Sequence, residues 1–220
     1  MMRIVVRSFT LGIMGGTFDP IHYGHLVTAE VARVHFRLDE VVFVPTGRPP
    51  HKTEEAVTDA EHRYLMTVLA TATNAHFSVS RSEVDRPGPS FTADTVTEMR
   101  RQYGHECGLF FITGADAIRT IGEWHTPSEL LSMCDIIAAT RPGYPLESRD
   151  LGVGSEAMSH IHFLEVPALA ISSSDIRRRV AMGSPIKYLV PEAVEAYIAK
   201  MGLYVPTGGP NKGGQAIQRH

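Results

Sequence analysis

At 220 residues, with 43% hydrophobic and 20% charged residues, the chain has the composition of an ordinary soluble globular protein, long enough for one sizeable core but not comfortably for two full domains. Its net charge of −3 exerts no general pull toward nucleic acid or an anionic membrane, so any anion must be bound locally by a few placed cations. Its two cysteines, Cys107 and Cys134, lack CxxC or zinc-type spacing, which argues against a disulfide framework and for the cytoplasm.

The N-terminal stretch is apolar in part, but Arg3 and Arg7 interrupt it and Gly15-Gly16 follow. It is too short and too broken for a signal peptide or a membrane span, and a strand is predicted from Thr10 to Met14. A helix follows from about Gly24 to His35, with Leu26, Val27, Val31 and Val34 as its apolar stripe. "VVFVP", Val41 to Pro45, reads as a buried strand and leads into the loop "TGRPPHK". Thr58 with Glu61 three residues on predicts a capping box and a helix to about Asn74. "HFSVS" and "SEVDR" predict a strand pair or one bent strand, and Ser90 or Thr92 can cap a helix through "ADTVTEMRRQY". "GLFFIT", Gly108 to Thr113, is a buried-type strand closed by "GADA"; "CDIIAAT", Cys134 to Thr140, repeats the pattern and ends at "RPGYP". "IHFLEVP" is the last strand, and helices from about Ser174 to Met182 and from Pro191 to Met201, ended by Gly202, close the chain. This alternation predicts an α/β fold: an open, mainly parallel sheet flanked by helices, with a small C-terminal helical region, in one domain over residues 1–205. The tail 206–220 is rich in Gly and polar residues and reads as disordered. In an open parallel sheet, ligands bind beyond the carboxyl ends of the strands, where the unusual loops should therefore converge.

The segment "MGGTFDPIHYGH", Met14 to His25, is the densest of these loops. Glycines directly after a strand let backbone approach a ligand, and Asp19-Pro20 favours a turn into a helix whose free N–H groups suit phosphate. His22 and His25, i and i+3, can face one way there and donate to phosphoryl oxygens. A zinc pair is the weaker reading, because helical metal pairs usually sit at i, i+4 with a nearby Glu. Surface histidines beside a Gly-rich turn are the bland alternative, which the GGTFDP context disfavours.

"GGTFDPIHYGH" resembles the GxFDPxHxGH motif of the HxGH nucleotidylyltransferase superfamily, and the chain is similar to bacterial nicotinate-nucleotide adenylyltransferases. "PPHK" (Pro49–Lys52), "SFTADT" (Ser90–Thr95), "GADA" (Gly114–Ala117), Trp124, "RPGY" (Arg141–Tyr144) and "ISSSDIR" (Ile171–Arg177) occur in the family's order, spanning about residues 12–204. The resemblance implies a Rossmann-like fold and transfer of AMP from ATP to nicotinic acid mononucleotide, giving deamido-NAD and pyrophosphate. The substrate's own ionised phosphate would attack in line without a covalent enzyme intermediate. This accords with the lack of a Ser-His-Asp or paired-carboxylate constellation. It implies His22, His25 and Arg177 as catalytic residues, with Gly15, Gly16, Thr17, Phe18, Gly24, Gly114, Asp116, Arg141, Ser172 and Ser174 on the ATP side. Ser172 and Ser174 could equally cap their helix, and Arg178 and Arg179 read as a solvated face.

On the mononucleotide side it implies His51, Lys52, Thr92, Trp124 and His125. His51 and Lys52 would supply cations, Trp124 would stack on the pyridinium ring, and Thr92 would help hold the carboxylate. The family often has Tyr where this chain has His125. Mg²⁺ is expected as a passenger of ATP; no carboxylate cluster marks a protein metal site. No nucleic-acid or membrane partner is expected, and the sequence leaves room for a homo-oligomer. Other readings are a related transferase such as phosphopantetheine adenylyltransferase, a preference for the nicotinamide mononucleotide, and a nucleotide sensor without turnover. The first type is shorter and lacks the SFT and Trp124 elements, and a sensor would be expected to have lost His22, His25 or Arg177.

Overall fold

The structure is a computed structural model that describes residues 8–49, 57–143, 151 and 154–206. Six strands form one parallel sheet: β1 (Thr10–Gly16), β2 (Glu40–Pro45), β3 (Phe77–Val79), β4 (Gly108–Gly114), β5 (Asp135–Thr140) and β6 (Ile161–Glu165). Their order is β3-β2-β1-β4-β5-β6, the doubly wound α/β arrangement whose direction of winding reverses between β1 and β4. Register pairs Met14 of β1 with Phe43 of β2 on one side and Ile112 of β4 on the other.

Side-chain alternation along these strands builds two cores, one per face. Leu11, Ile13, Val42, Val44 and Phe111 pack against α3 (Thr92–Tyr103), α4 (Ala115–Ile118) and α5 (Pro127–Met133) through Val96, Met99, Ile118 and Leu130. Met14, Val41, Phe43 and Ile112 pack on the opposite face against α1 (Tyr23–Phe36), α2 (Ala60–Thr71), α7 (Ser173–Ala181) and α8 (Glu192–Met201). Ile176, Val194 and Ile198 bring the two C-terminal helices into that same core. The short helix α6 (Ser155–Met158) precedes β6. No helix among the described residues is long and apolar enough to cross a membrane.

Several local expectations change. In α1 the fully buried positions are Ala29 and Ala32, not the valine stripe, and Val34 is exposed; small side chains let this helix lie close to the sheet. The cap of α2 is Asp59, whose carboxylate accepts from the Glu61 N–H at 2.8 Å, rather than Thr58, and the helix ends at Thr71. α3 starts after Phe91 with no side-chain cap, leaving Ser90 and Thr92 for other contacts. "SEVDR" is not a strand: the chain turns there, with the Asp85 N–H on the Arg81 carbonyl at 2.9 Å. Glu83 is drawn inward instead, accepting from the Thr95 hydroxyl at 2.5 Å. The predicted tail, apart from Pro206, and the N-terminal residues 1–7 lie outside the described residues.

Candidate active site at the switch point

Two cavities open at the carboxyl ends of the strands. One, of about 660 Å³, lies between the β1–α1 turn, the end of β4 and the segment leading into α7. The other, of about 590 Å³, lies between β1, the loop after β2, the start of α3 and Trp124. They share Gly15, Gly16 and Thr113, the residues at which β1 and β4 end and the sheet reverses direction. A Cβ on Gly15 would come within 3.0 Å of the Phe111 ring, so the glycine keeps this junction thin.

In the first cavity, Gly15, Gly16, Phe18, His22, Gly24, His25, Gly114, Asp116, Arg141 and Ser172 all reach the wall. Phe18 is buried with φ of 48°, a left-handed conformation costly for a side chain with a Cβ, and its ring meets His25 edge-on at 5.0 Å. The Asp19–Pro20 peptide is cis, and His22 then caps α1 in extended conformation. The His22 and His25 rings stack at 3.8 Å between centroids. A Cβ at position 24 would sit 2.9 Å from the His22 ring, which is why the residue between Tyr23 and His25 is glycine. The His25 Nδ1 accepts from the His22 main-chain N–H at 3.3 Å, so a neutral His25 ring carries its proton on Nε2. His22 Nδ1 is buried without a hydrogen-bond partner in the protein.

Both rings are held uncharged. Burial pushes the His22 pKa down to about 4, with the Arg141 guanidinium adding to the effect. Burial also pushes His25 well below its usual value, and His22 adds to it. The pair is therefore neutral near pH 7 and can offer N–H dipoles rather than charge.

Thr17 and Ser174, expected on the ATP side, and Arg177, expected as catalytic, do not line this cavity. Thr17 lines the second cavity, because the chain passes over the end of β1 before it turns back into α1. Ser174 and Arg177 are not part of either wall. The Arg177 Nη1 donates to the Asp19 carbonyl at 2.7 Å and its Nη2 to the Ser174 hydroxyl at 3.3 Å, so the guanidinium bridges α7 to the β1–α1 turn. Ser173, not singled out by the motif, lines the cavity and donates to the Pro20 carbonyl at 2.8 Å. Ser172 is the α7 cap, accepting from the Asp175 N–H at 3.2 Å. Arg178 and Arg179 both pair with Asp175, as a solvated face would.

The second cavity gathers Thr92, Trp124 and His125 with Thr46, Pro49, Glu83, Phe91 and Phe111. Trp124 meets Phe111 edge-on at 6.0 Å, and the His125 ring lies 4.6 Å from Phe91, so two aromatic pairs frame a slot. His51 and Lys52 lie outside the described residues. Thr113, Arg119, Ser173 and Glu83 escaped the sequence reading. Arg119 is one helical turn beyond Asp116 and could have been found from that spacing, whereas Glu83 depended on a strand that is not there. Among the described residues no group of three or more His, Cys, Asp or Glu side chains could hold a metal ion.

A family profile described as cytidylyltransferase-like matches residues 13–179. A protein of Moorella thermoacetica named "Probable nicotinate-nucleotide adenylyltransferase" is 61% identical over 209 residues, 93% of this chain and 96% of its own. One of the same name from a Thermoanaerobacter species is 56% identical over 90% of this chain and 95% of its own. The chain belongs to the nicotinate-nucleotide adenylyltransferase family, within the cytidylyltransferase-like proteins. Plasmodium falciparum nicotinic acid mononucleotide adenylyltransferase complexed with NaAD shares the fold, with a TM-score of 0.74 at 20% identity over 89% of this chain and 97% of that one.

Proposed function

We propose that the protein transfers AMP from ATP to nicotinic acid mononucleotide, with in-line attack of the mononucleotide phosphate on the α-phosphorus and no covalent enzyme intermediate. The observation that carries this reading is the meeting of two cavities at Gly15, Gly16 and Thr113. ATP would occupy the cavity of His22, His25 and Asp116, the mononucleotide that of Thr92 and Trp124, and the reacting phosphates would meet over the glycines. Two reactants so oriented need no nucleophile or base from the protein; positioning alone can supply on the order of 7–11 kcal/mol of the barrier.

The neutral imidazoles would donate to phosphoryl oxygens that gain charge in the transition state, each such donor contributing about 3 kcal/mol by analogy with oxyanion sites. Asp116 suits a ribose hydroxyl, Arg141 the adenosine side, Ser172 and Ser174 the triphosphate, and Arg177 the β- and γ-phosphates. Trp124 would stack on the pyridinium ring, with Thr92 and His125 beside it and His51 and Lys52 near the substrate phosphate. Mg²⁺ would enter on ATP and neutralise the departing pyrophosphate.

The test is pyrophosphate release from ATP and Mg²⁺ with the acid or the amide mononucleotide. Turnover with kcat/KM favouring the acid is expected. Equal or amide-favouring values would sink the substrate assignment, and no turnover with either would sink the activity. His25→Ala should lower kcat by about a hundredfold while the fold is retained; near-parental kcat would remove the phosphate role.

A further inference from the structure

The residues that hold Arg177 lie far from it in sequence. Asp19 is 4% exposed, and each of its oxygens has a task. Its carbonyl accepts from Arg177 Nη1 at 2.7 Å, while Oδ2 lies 3.9 Å from the same nitrogen and accepts from the Thr58 N–H at 3.3 Å. Its Oδ1 accepts from the Tyr204 hydroxyl at 2.8 Å. Tyr204 comes after α8, in the last segment of the described chain, and its φ of 65° places it in the left-handed region. A tyrosine holds that conformation only where its surroundings over-determine it. Leu203 packs into the core beside it and bonds back to the Ile198 carbonyl at 3.1 Å. The segment is thus folded back so that one hydroxyl reaches the carboxylate of the β1–α1 turn.

We propose that Tyr204 and Asp19 are positioning residues that set Arg177 against the β1–α1 turn, so that the segment beyond the last helix completes the active site. This rests on the reading of Arg177 as a ligand of the triphosphate. With Nη1 on the Asp19 carbonyl and Nη2 on Ser174, the fork has one orientation in which its remaining N–H groups can serve phosphate. Without the Tyr204 bond, the Asp19 carboxylate is free to rotate onto the guanidinium and compete with phosphate for it.

The experiment compares Tyr204→Phe with Leu203→Ala and Arg177→Ala in the full-length protein, by steady-state pyrophosphate release and thermal melting. Tyr204→Phe should lower kcat about tenfold while leaving KM for the mononucleotide within about twofold, because the effect reaches the triphosphate and not the other cavity. Leu203→Ala loosens the packing that folds the segment back but leaves the hydroxyl in place; it should lower Tm and lower kcat by less than Tyr204→Phe does. Parental kcat in Tyr204→Phe, a larger kcat loss in Leu203→Ala than in Tyr204→Phe, or a Tyr204→Phe protein that no longer melts cooperatively would each overturn the proposal. Arg177→Ala separates it from the reading beneath it. If Arg177→Ala keeps full turnover, the triphosphate role fails. If Arg177→Ala is inactive and Tyr204→Phe is parental, only the positioning role fails.

Discussion

Replacing Arg63 should loosen the mononucleotide cavity more than the ATP cavity, although Arg63 touches neither substrate on the proposed reading. It is the largest fully buried side chain described, 1% exposed, at the first turn of α2. Its guanidinium donates to four main-chain carbonyls: Thr58 at 2.7 Å, Thr17 at 2.8 Å, Thr46 at 2.5 Å and Gly47 at 2.9 Å. Burial pushes its pKa down, opposed chiefly by Asp19. Thr17 follows β1 and Thr46 follows β2, and both line the second cavity, so one planar fork ties together two of its walls. Arg63→Met keeps the length, relieves the desolvated charge and leaves four carbonyls without their donor. Each lost bond to a charged donor is worth roughly 1.5–3 kcal/mol, from which several kcal/mol of guanidinium desolvation must be subtracted, leaving a net loss of about 3 kcal/mol.

At roughly 2–4 °C per kcal/mol for a chain of this size, Tm should fall by about 6–12 °C in a calorimetric or circular-dichroism melt. Steady-state assays should then show KM for nicotinic acid mononucleotide raised several-fold and KM for ATP nearly unchanged. Arg63→Lys, whose point charge cannot span four acceptors, should fall between. A Tm within about 2 °C of the parent would refute the energetic argument. A lowered Tm with an unchanged mononucleotide KM would refute the link from Arg63 to the cavity walls.

Three further outcomes follow from single contacts. His22 has its pKa held near 4, against 6.5 when unfolded, so below pH 6.5 the unfolded chain takes up a proton that the native state refuses. Stability should fall as pH drops from 6.5 toward 4, at up to about 1.4 kcal/mol per pH unit from this group; urea midpoints of His22→Gln should show a shallower slope, and equal slopes would remove the assignment. A Cβ at Gly47 would lie 2.0 Å from the Glu83 carbonyl oxygen, so Gly47→Ala must displace the loop after β2; a lowered Tm and a raised mononucleotide KM are expected, and parental values for both would contradict the packing. Trp124→Ala should raise KM for the mononucleotide about tenfold, matching about 1–2 kcal/mol of lost stacking, with KM for ATP nearly constant. Equal rises in both constants would mean that Trp124 shapes the whole site rather than one ring.

Features carried by short-range pattern could be read from the residues. The apolar runs at Leu11–Met14, Val41–Val44 and Ile136–Ala139 are sheet strands, and the glycines behind the first of them mark the junction of the two cavities. Helix placement was right to within a few residues, but α4, α5 and α6 have four to seven residues each, too short to show a period. The same limit applies to Glu83, whose segment alternates like a strand yet folds inward because the Thr95 hydroxyl offers its carboxylate a partner. Arg63 and Tyr204 were invisible for another reason. Each acts across a long sequence separation, 46 residues from Arg63 to Thr17 and 185 from Tyr204 to Asp19, and an isolated Arg or Tyr carries no local signature of such a contact.

The neutral histidines also decide where the positive charge for a triphosphate must come from. The N-termini of α1 and α7 meet at one turn, where Ser173 bonds to the Pro20 carbonyl and Arg177 to that of Asp19. A protonated imidazole there would lose its water and face Arg141, and the depressed pKa of His22 is the net result. Positive charge is therefore left to arginines: Arg119 and Arg141 on the cavity wall and Arg177 behind the turn. Such a division of labour suits a transfer whose nucleophile is already ionised. On the proposed reading, neutral N–H donors would gain strength as charge builds on the oxygens they face, and would neither take a proton from the attacking phosphate nor hold the product by full charge. Arg177 is held on the Asp19 carbonyl while the Asp19 carboxylate takes the Tyr204 hydroxyl, so on the proposed reading the geometry of this charge is exposed to change at Tyr204.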